Sequence, residues 1–465
     1  MASASVDELQ MFQWKPCPEG QRLVDLLISD HLEQAPKSRQ LASAMADQTG
    51  TRFLDWIDHL VTDRTGLIPD LEGAGFTPAG DHEGMRIFEH REAIFPRILV
   101  GSKAARGAAL KVESVADFLA AHTLPVEVEG RPLGHFRRAR AWSDRDTALW
   151  VIERHGHPGF EYRETDPNVK VAAQLHLEAF RARNRDSPTD EEAFAAIHAG
   201  IDSAIAAVGR DWTADLWFAA ERDYWMRRNR AARLQKARQD TLGLGWANHD
   251  HHTYRCRRAT FHLVIGVFEK LGCTCRERFY AGAEAGWGAQ ILEHPATGIV
   301  IFADVDMEPS EVTGDFSHQE FPELGDLGTV GLWCELHSES ILEAGMHHLE
   351  CQFDFDALRS QLQAEAGIAM MKPFTDFDHL RQQFTEGERW AVAPERIERL
   401  LQRGQITEEQ ADQFRTEGTI GSHLENLERN DGFKGFNQTG INEIILATDP
   451  RRQGATATGA QAEWR

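Results

Sequence analysis

From Asn248 onward the chain follows a pattern that few folds can accommodate: a strand, an amphipathic helix and three strands, and then the same order again. In the first copy Asn248 to Arg255 reads as a strand, and Phe261, Val264, Phe268 and Leu271 mark one helix face that stops at Gly272. Strands then follow over Thr274 to Tyr280, Gly286 to Glu293 and Gly298 to Asp306. In the second copy Met346 to Phe353 alternates as a strand, Asp354 to Gly367 is a helix, and Asp376 to Phe384 is strand-like. Gly421 to Arg429 closes that module after a helical insertion from Pro394 to Glu417. A lone βαβββ unit leaves one face of its sheet uncovered. Pairing two makes a cupped mixed sheet with a pocket inside, so the expected fold class is α+β, with helical N-terminal and linker segments.

The rest of the chain divides around that unit. Residues 1–50 form a helical N-terminal segment, with Leu23, Leu26, Leu27 and His31 at helical spacing, and 51–165 an α+β domain that is a candidate degenerate pair of the same modules. Residues 166–244 are a helical linker, 245–448 the catalytic domain, and 449–465 a tail too poor in apolar residues to pack, hence disordered. Within the linker Trp212, Trp217 and Trp225 precede Arg227, Arg228, Arg230 and Arg233, a pattern read as a bracing helix with a solvated basic face. Nucleic acid is a poor partner for a chain with 50 Lys and Arg against 73 Asp and Glu, because a net charge of −23 repels phosphates. Cys17, Cys256, Cys273, Cys275, Cys334 and Cys351 make no disulfide framework, and Cys273 and Cys275 read as two small hydrophobes facing one way. Met1 to Gln10 has no leader pattern and nowhere do eighteen apolar residues run together, so a cytoplasmic protein without membrane contact is expected.

Chemistry concentrates in Asn248-His249-Asp250-His251-His252-Thr253-Tyr254-Arg255. Alternation points His249, His251, Thr253 and Arg255 one way and Asp250, His252 and Tyr254 the other. The first strands of the two modules thus offer His251 and His348 to one cavity, and the closing strand offers Glu425. Two imidazoles and one carboxylate form the facial triad that leaves positions open on Fe(II), while Zn(II), Ni(II) or Mn(II) suit the same donors. Structural zinc, with four protein ligands, would call for cysteines. Arg255 is placed to fork onto a substrate carboxylate, and His249, His252, His347 and His423 to orient the ligands.

Asp250 to Arg255 resembles the Asp-His-x-x-x-Arg or His-Gly-Ala-Ile-Arg motif of the 2-oxoadipate dioxygenase/decarboxylase (hydroxyglutarate synthase) family, within the vicinal oxygen chelate superfamily. Phe268 to Tyr280 and Gly298 to Val305 are similar to that family's continuation, and Met346-His347-His348-Leu349 to the strand with its second histidine. Glu425-Asn426-Leu427-Glu428-Arg429 resembles its Glu-Ile-Glu-Gln-Arg, and more distantly the Glu-Ile-Ile-Gln-Arg of hydroxyphenylpyruvate dioxygenases. Leu380 to Thr385 is similar to a pocket strand of the latter, which makes Gln382 a candidate pocket residue. Asp431-Gly432-Phe433 and Asn437 are similar to the tail that closes such sites. The resemblance covers roughly residues 245 to 448.

It implies a glyoxalase-like fold, iron ligands His251, His348 and Glu425, and Arg255 on the substrate carboxylate. The function it implies is an oxidoreductase, a non-haem Fe(II) dioxygenase/decarboxylase that turns a 2-oxoadipate-like 2-oxo acid and dioxygen into a 2-hydroxy acid and CO2. Two alternatives stay open: a non-oxidative metal-dependent isomerase, lyase or ring-opening enzyme of that superfamily, and a metal or small-molecule binding protein without turnover. None of these readings specifies an oligomeric state.

Overall fold

The computed structural model describes residues 14–102, 106–144, 146–162, 164–312, 314–437, 444 and 448–452. The tail expected to be disordered lies outside the described residues from position 453. The N-terminal segment is two helices, α1 (Pro18–Gln34) and α2 (Pro36–Thr49), because Pro36 lacks the N–H that a continuous helix needs.

A first sheet follows, built from β1 (Ile57–Thr62), α3 (Ile68–Gly73), β2 (Thr77–His82), β3 (Met85–Glu89) and β4 (Arg97–Val100), then β5 (Arg106–Lys111), α4 (Val115–Ala121), β6 (Val128–Glu129), β7 (Phe136–Asp144) and β8 (Thr147–Arg154). Its order is β2-β3-β4-β1-β5-β8-β7-β6. Four helices come next: α5 (Pro167–Arg181), α6 (Asp190–Val208), α7 (Arg210–Arg227) and α8 (Arg230–Thr241). Thr189 caps α6 by accepting from the Glu192 N–H, and three acidic residues fill the first turn, where they complement the helix dipole. Trp212, Trp217 and Trp225 are buried while Arg227, Arg230 and Arg233 are exposed.

The second sheet uses β9 (His249–Arg255), α9 (Phe261–Leu271), β10 (Thr274–Tyr280), β11 (Trp287–Glu293), β12 (Val300–Asp306) and α10 (Thr329–His337). It continues with β13 (His348–Gln352), α11 (Phe355–Ala366), β14 (Thr375–Phe377), β15 (Leu380–Phe384), β16 (Glu388–Trp390), α12 (Pro394–Gln402), α13 (Glu408–Glu417) and β17 (Thr419–Arg429). The stretch expected as one strand from Asp376 to Phe384 is the hairpin β14–β15, since Asp378 and His379 turn the chain. The insertion expected from Pro394 to Glu417 breaks into two helices around Gly404, whose positive φ of 67 ends the first.

The order of the second sheet, β10-β11-β12-β9-β13-β17-β15-β14, is that of the first with each strand replaced by its counterpart. The senses match too: β1 and β9 run parallel to β4 and β12, antiparallel to β5 and β13, and these in turn run parallel to β8 and β17. This is an α+β architecture of paired βαβββ modules, present twice. On the second sheet α9 buries Phe261, Val264, Ile265 and Phe268 and α11 buries Phe355, Leu358 and Leu362. That leaves the opposite, concave face for the site. Among the described residues no helix is long and apolar enough to cross a membrane.

Candidate metal centre

Three neighbouring strands set the centre. In the ladder Glu350 of β13 stands opposite His251 of β9 and opposite Glu425 of β17, so these three form one row across the cup. His348 lies two residues before Glu350 on the same face of β13. One donor atom each from His251, Glu350 and Glu425 falls within 4.8 Å of the others, and all three side chains are buried. His348 Nε2 is 3.0 Å from Glu350 Oε1 and 3.5 Å from Glu425 Oε2, and His251 Nε2 contacts the same Glu350 oxygen. The donors within that mutual distance are thus His251, Glu425 and Glu350, the last of which sequence reasoning missed, while His348 stands beside Glu350 and Glu425 but outside the group.

Each donor is held from behind. The His251 Nδ1–H donates to Asp250 Oδ2 at 2.7 Å, and Asp250 also takes the Arg429 guanidinium at 3.1 Å. Strict alternation points Asp250 away from His251. The register between β9 and β13 instead shifts at this point, so Asp250 is the extra residue of a β-bulge and its carboxylate swings round to the ring. Gln382 donates from Nε2 to Glu425 Oε1 at 2.8 Å and is fixed by the Thr375 hydroxyl at 3.1 Å. His347 and His348 face each other Nδ1 to Nδ1 at 2.7 Å, so a His348 that presents its Nε2 lone pair to a metal donates its Nδ1–H to His347. The other histidines expected as orienting partners bond elsewhere: His249 Nδ1 meets the Trp246 carbonyl, His423 Nδ1 the Thr385 carbonyl, and His252 packs on Phe218 behind the sheet.

This donor set fits a divalent cation. Burial raises the Glu350 and Glu425 carboxyls, with the Glu425 charge raising Glu350 further, while burial holds His251 at about 4 and His348 well below the usual imidazole range. Two acidic and two neutral basic groups share one space, and Glu350 Oε2 has no hydrogen-bond partner among the described residues. A 2+ ion restores both carboxylates to their charged form and uses both Nε2 lone pairs. His251, His348 and Glu425 together with Glu350 suit Fe(II), Zn(II), Ni(II) or Mn(II).

A cavity of about 60 Å³ lies over the donors, walled by Trp287, Phe302, Phe374, Phe384 and Phe436, with Asp304 at one side. Gln382 lines it; Arg255 does not. Arg255 stands in register with Asp304 and is wholly buried, its guanidinium 5.5 Å over Trp333, and its Nε and Nη1 have no partner among the described residues. A second cavity of about 520 Å³ shares His251, Phe302 and Phe436 with the first and lies between the two sheets. Arg91, Arg97, Arg276, Arg429 and Lys434 face it against Glu89, Glu293 and Asp250, an excess of positive charge.

The first sheet repeats the scaffold without the donors. Asp58 sits in the same bulge of β1, accepts from His59 Nδ1 at 2.7 Å and binds Arg154 at 2.7 Å, the relation of Asp250 to His251 and Arg429. Where the second cup has Glu350, His348 and Glu425, the ladder of the first has Ala109, Gly107 and Trp150. His59 lines a cavity of about 300 Å³ with His82 and Glu83, and among the described residues no three candidate donors gather there within 4.8 Å of one another.

No protein-family model matches the chain, and no curated protein matches it. Solved structures similar to it include a variant of 4-hydroxymandelate synthase from Streptomyces coelicolor, 13% identical over 86% of this chain and 99% of that one, TM-score 0.28. A putative glyoxalase superfamily protein from Ralstonia eutropha JMP134 is 13% identical over 57% of this chain and 97% of its own, TM-score 0.30. A fusion of a xylose isomerase-like TIM barrel with 4-hydroxyphenylpyruvate dioxygenase is 10% identical over 87% of this chain and 54% of its own, TM-score 0.26. At scores of this size the fold rests on strand order and register.

Proposed function

We propose that the second cup is the active site of an Fe(II)-dependent dioxygenase/decarboxylase of the vicinal oxygen chelate type that acts on a 2-oxo acid. The observation that carries this is the gathering of His251, Glu350 and Glu425 within 4.8 Å of one another on the concave face, with His348 Nε2 3.5 Å from Glu425, beneath an aromatic cavity. Bound Fe(II) would supply the electrons for dioxygen chemistry and a Lewis acid for the 2-oxo group.

The chain's own residues do the rest. The cationic excess of the larger cavity draws an acid anion toward His251. The phenylalanines of the small cavity exclude water from the reacting atoms. Asp250, His347 and Gln382 keep His251, His348 and Glu425 in the orientation a metal needs. Asp304 is a carboxyl that can take or release a proton near neutrality, since burial pushes it up to about 7 against the pull of Arg255. The substrate carboxylate is assigned to the cations of the larger cavity rather than to Arg255, which lies off the small one.

One observation favours the non-oxidative alternative. Glu350 is a fourth donor in the row, and a centre that keeps it ligated has one position fewer for substrate and dioxygen together. The test is dioxygen uptake by anaerobically iron-loaded protein across a panel of 2-oxo acids, with His348→Ala as control. Uptake coupled to CO2 release and lost in the variant supports the dioxygenase. Stoichiometric metal binding without uptake for any acid rejects it and leaves the non-oxidative enzyme or the binding protein, separated by whether any acid is turned over.

A further inference from the structure

A second set of metal donors stands at the outer edge of the second sheet. Glu269 lies in the last turn of α9, Cys275 on the edge strand β10, and His318 on the segment after β12. One donor atom from each lies within 4.8 Å of the other two. His318 Nε2 is 3.0 Å from Glu269 Oε1, and Cys275 Sγ is 3.9 Å from the same oxygen. Tetrahedral zinc, with bonds of about 2.0–2.3 Å, holds its donors roughly 3.3–3.7 Å apart, so small side-chain movements close this set on an ion.

The local structure aims each group there. The register between β10 and β11 shifts between Cys275 and Glu277, so Arg276 is an extra residue in the edge strand. Cys273 lies ahead of β10, its N–H donating to the Phe268 carbonyl at the end of α9, and is buried, while Cys275 on the strand is exposed, in place of two cysteines facing one way. Phe316 stacks on Phe261 and Phe321, and the Ser317 hydroxyl donates to Gln290 Oε1 at 2.6 Å, which pins the chain on the approach to His318. Asp315 Oδ2 takes the His318 Nδ1–H at 2.7 Å, the carboxylate–histidine arrangement that turns Nε2 outward as a metal ligand. Arg278 pairs with Asp315 at 4.0 Å on one side of the cluster.

We propose that Cys275, His318 and Glu269 bind one zinc ion, with water in the fourth position and Asp315 as a positioning residue. The ion fastens the free edge of the sheet to α9 and to the segment that covers it, a place where an unpaired strand otherwise invites association. The alternative is a protonated His318 that simply bridges Glu269 and Asp315.

Cobalt(II) titrated into metal-free full-length protein decides between them. A thiolate on cobalt gives an intense near-ultraviolet charge-transfer band, and the cup offers nitrogen and oxygen donors alone, so the band reports the outer site whatever reaction the cup performs. The expected result is a band that saturates by two equivalents in the native chain and at one in His251→Ala, that is displaced by Zn(II), and that is abolished in Cys275→Ser, a substitution at an exposed position. Asp315→Asn should weaken apparent affinity by about 10–100-fold without moving the band. No band at saturating cobalt, or a band that survives Cys275→Ser, overturns the proposal.

Discussion

Glu350 carries the sharpest consequence at the scale of one side chain. Its side chain is 3% exposed and lies between two imidazoles and a second carboxylate, so its effect on stability changes sign with the metal. Without an ion, Glu350→Gln relieves a crowded pair of buried acids and should stabilise the fold by about 1–3 kcal/mol. With an ion bound, the same change removes a donor and should lower both stability and metal affinity. Urea unfolding with and without metal measures both signs, and a shift of one sign in both conditions would show that Glu350 is no ligand. Gln382 acts at one remove. It supplies the hydrogen bond to Glu425 Oε1, so Gln382→Leu should cost about 10–100-fold in metal affinity, read by competition with a chromophoric chelator, while leaving the fold intact.

At the scale of the element, the bulge in the opening strand organises both cups. Asp250 and Asp58 each hold a histidine and neutralise a buried arginine, Arg429 or Arg154. Asp250→Ala and Asp58→Ala should therefore both destabilise by about 3–5 kcal/mol, since each strands a guanidinium, yet only the first should weaken metal binding. Equal losses of metal affinity would refute the assignment of the two cups. His251, His348 and Glu425 were readable from the sequence because each lies on a strand whose alternation points it into the cup. Glu350 was not, because a glutamate two residues beyond a histidine reads as one more polar position until the ladder sets it opposite His251 and Glu425. Asp250 escaped for a related reason: one inserted residue breaks the period on which the reading of faces depends. The repeat leaves a faint trace, Asp58-His59 with Glu153-Arg154 against Asp250-His251 with Glu428-Arg429, too short to stand out where Ala109, Gly107 and Trp150 occupy the positions of Glu350, His348 and Glu425.

Across the whole molecule, the two halves are joined through the helical layer, and that junction carries a charge that depends on pH. His155 follows β8 of the first sheet directly, and its ring bridges Glu153 at 3.1 Å and Asp215 of α7 at 2.9 Å. Along the same helix Phe218 packs against His252 of β9 and Phe268 of α9, so the bridge links the first sheet to the scaffold behind the metal centre. Burial works against a charged ring, but the hydrogen bonds to Asp215 and Glu153 outweigh it and raise His155 from 6.5 to about 10. A raised folded-state value means that the native protein holds a proton the unfolded chain releases. The stabilising contribution is then complete below pH 6.5, declines above it, and is lost as pH passes about 10. His155→Gln removes the titrating group and keeps a hydrogen-bonding side chain. The stability difference between the native chain and this variant, measured by urea unfolding, should be largest at pH 6 and shrink steadily toward pH 10, where both carboxylates face a neutral ring. A difference that stays constant over that range would mean that His155 titrates alike in the folded and unfolded chain and that packing, rather than the ion bridge, holds α7 there.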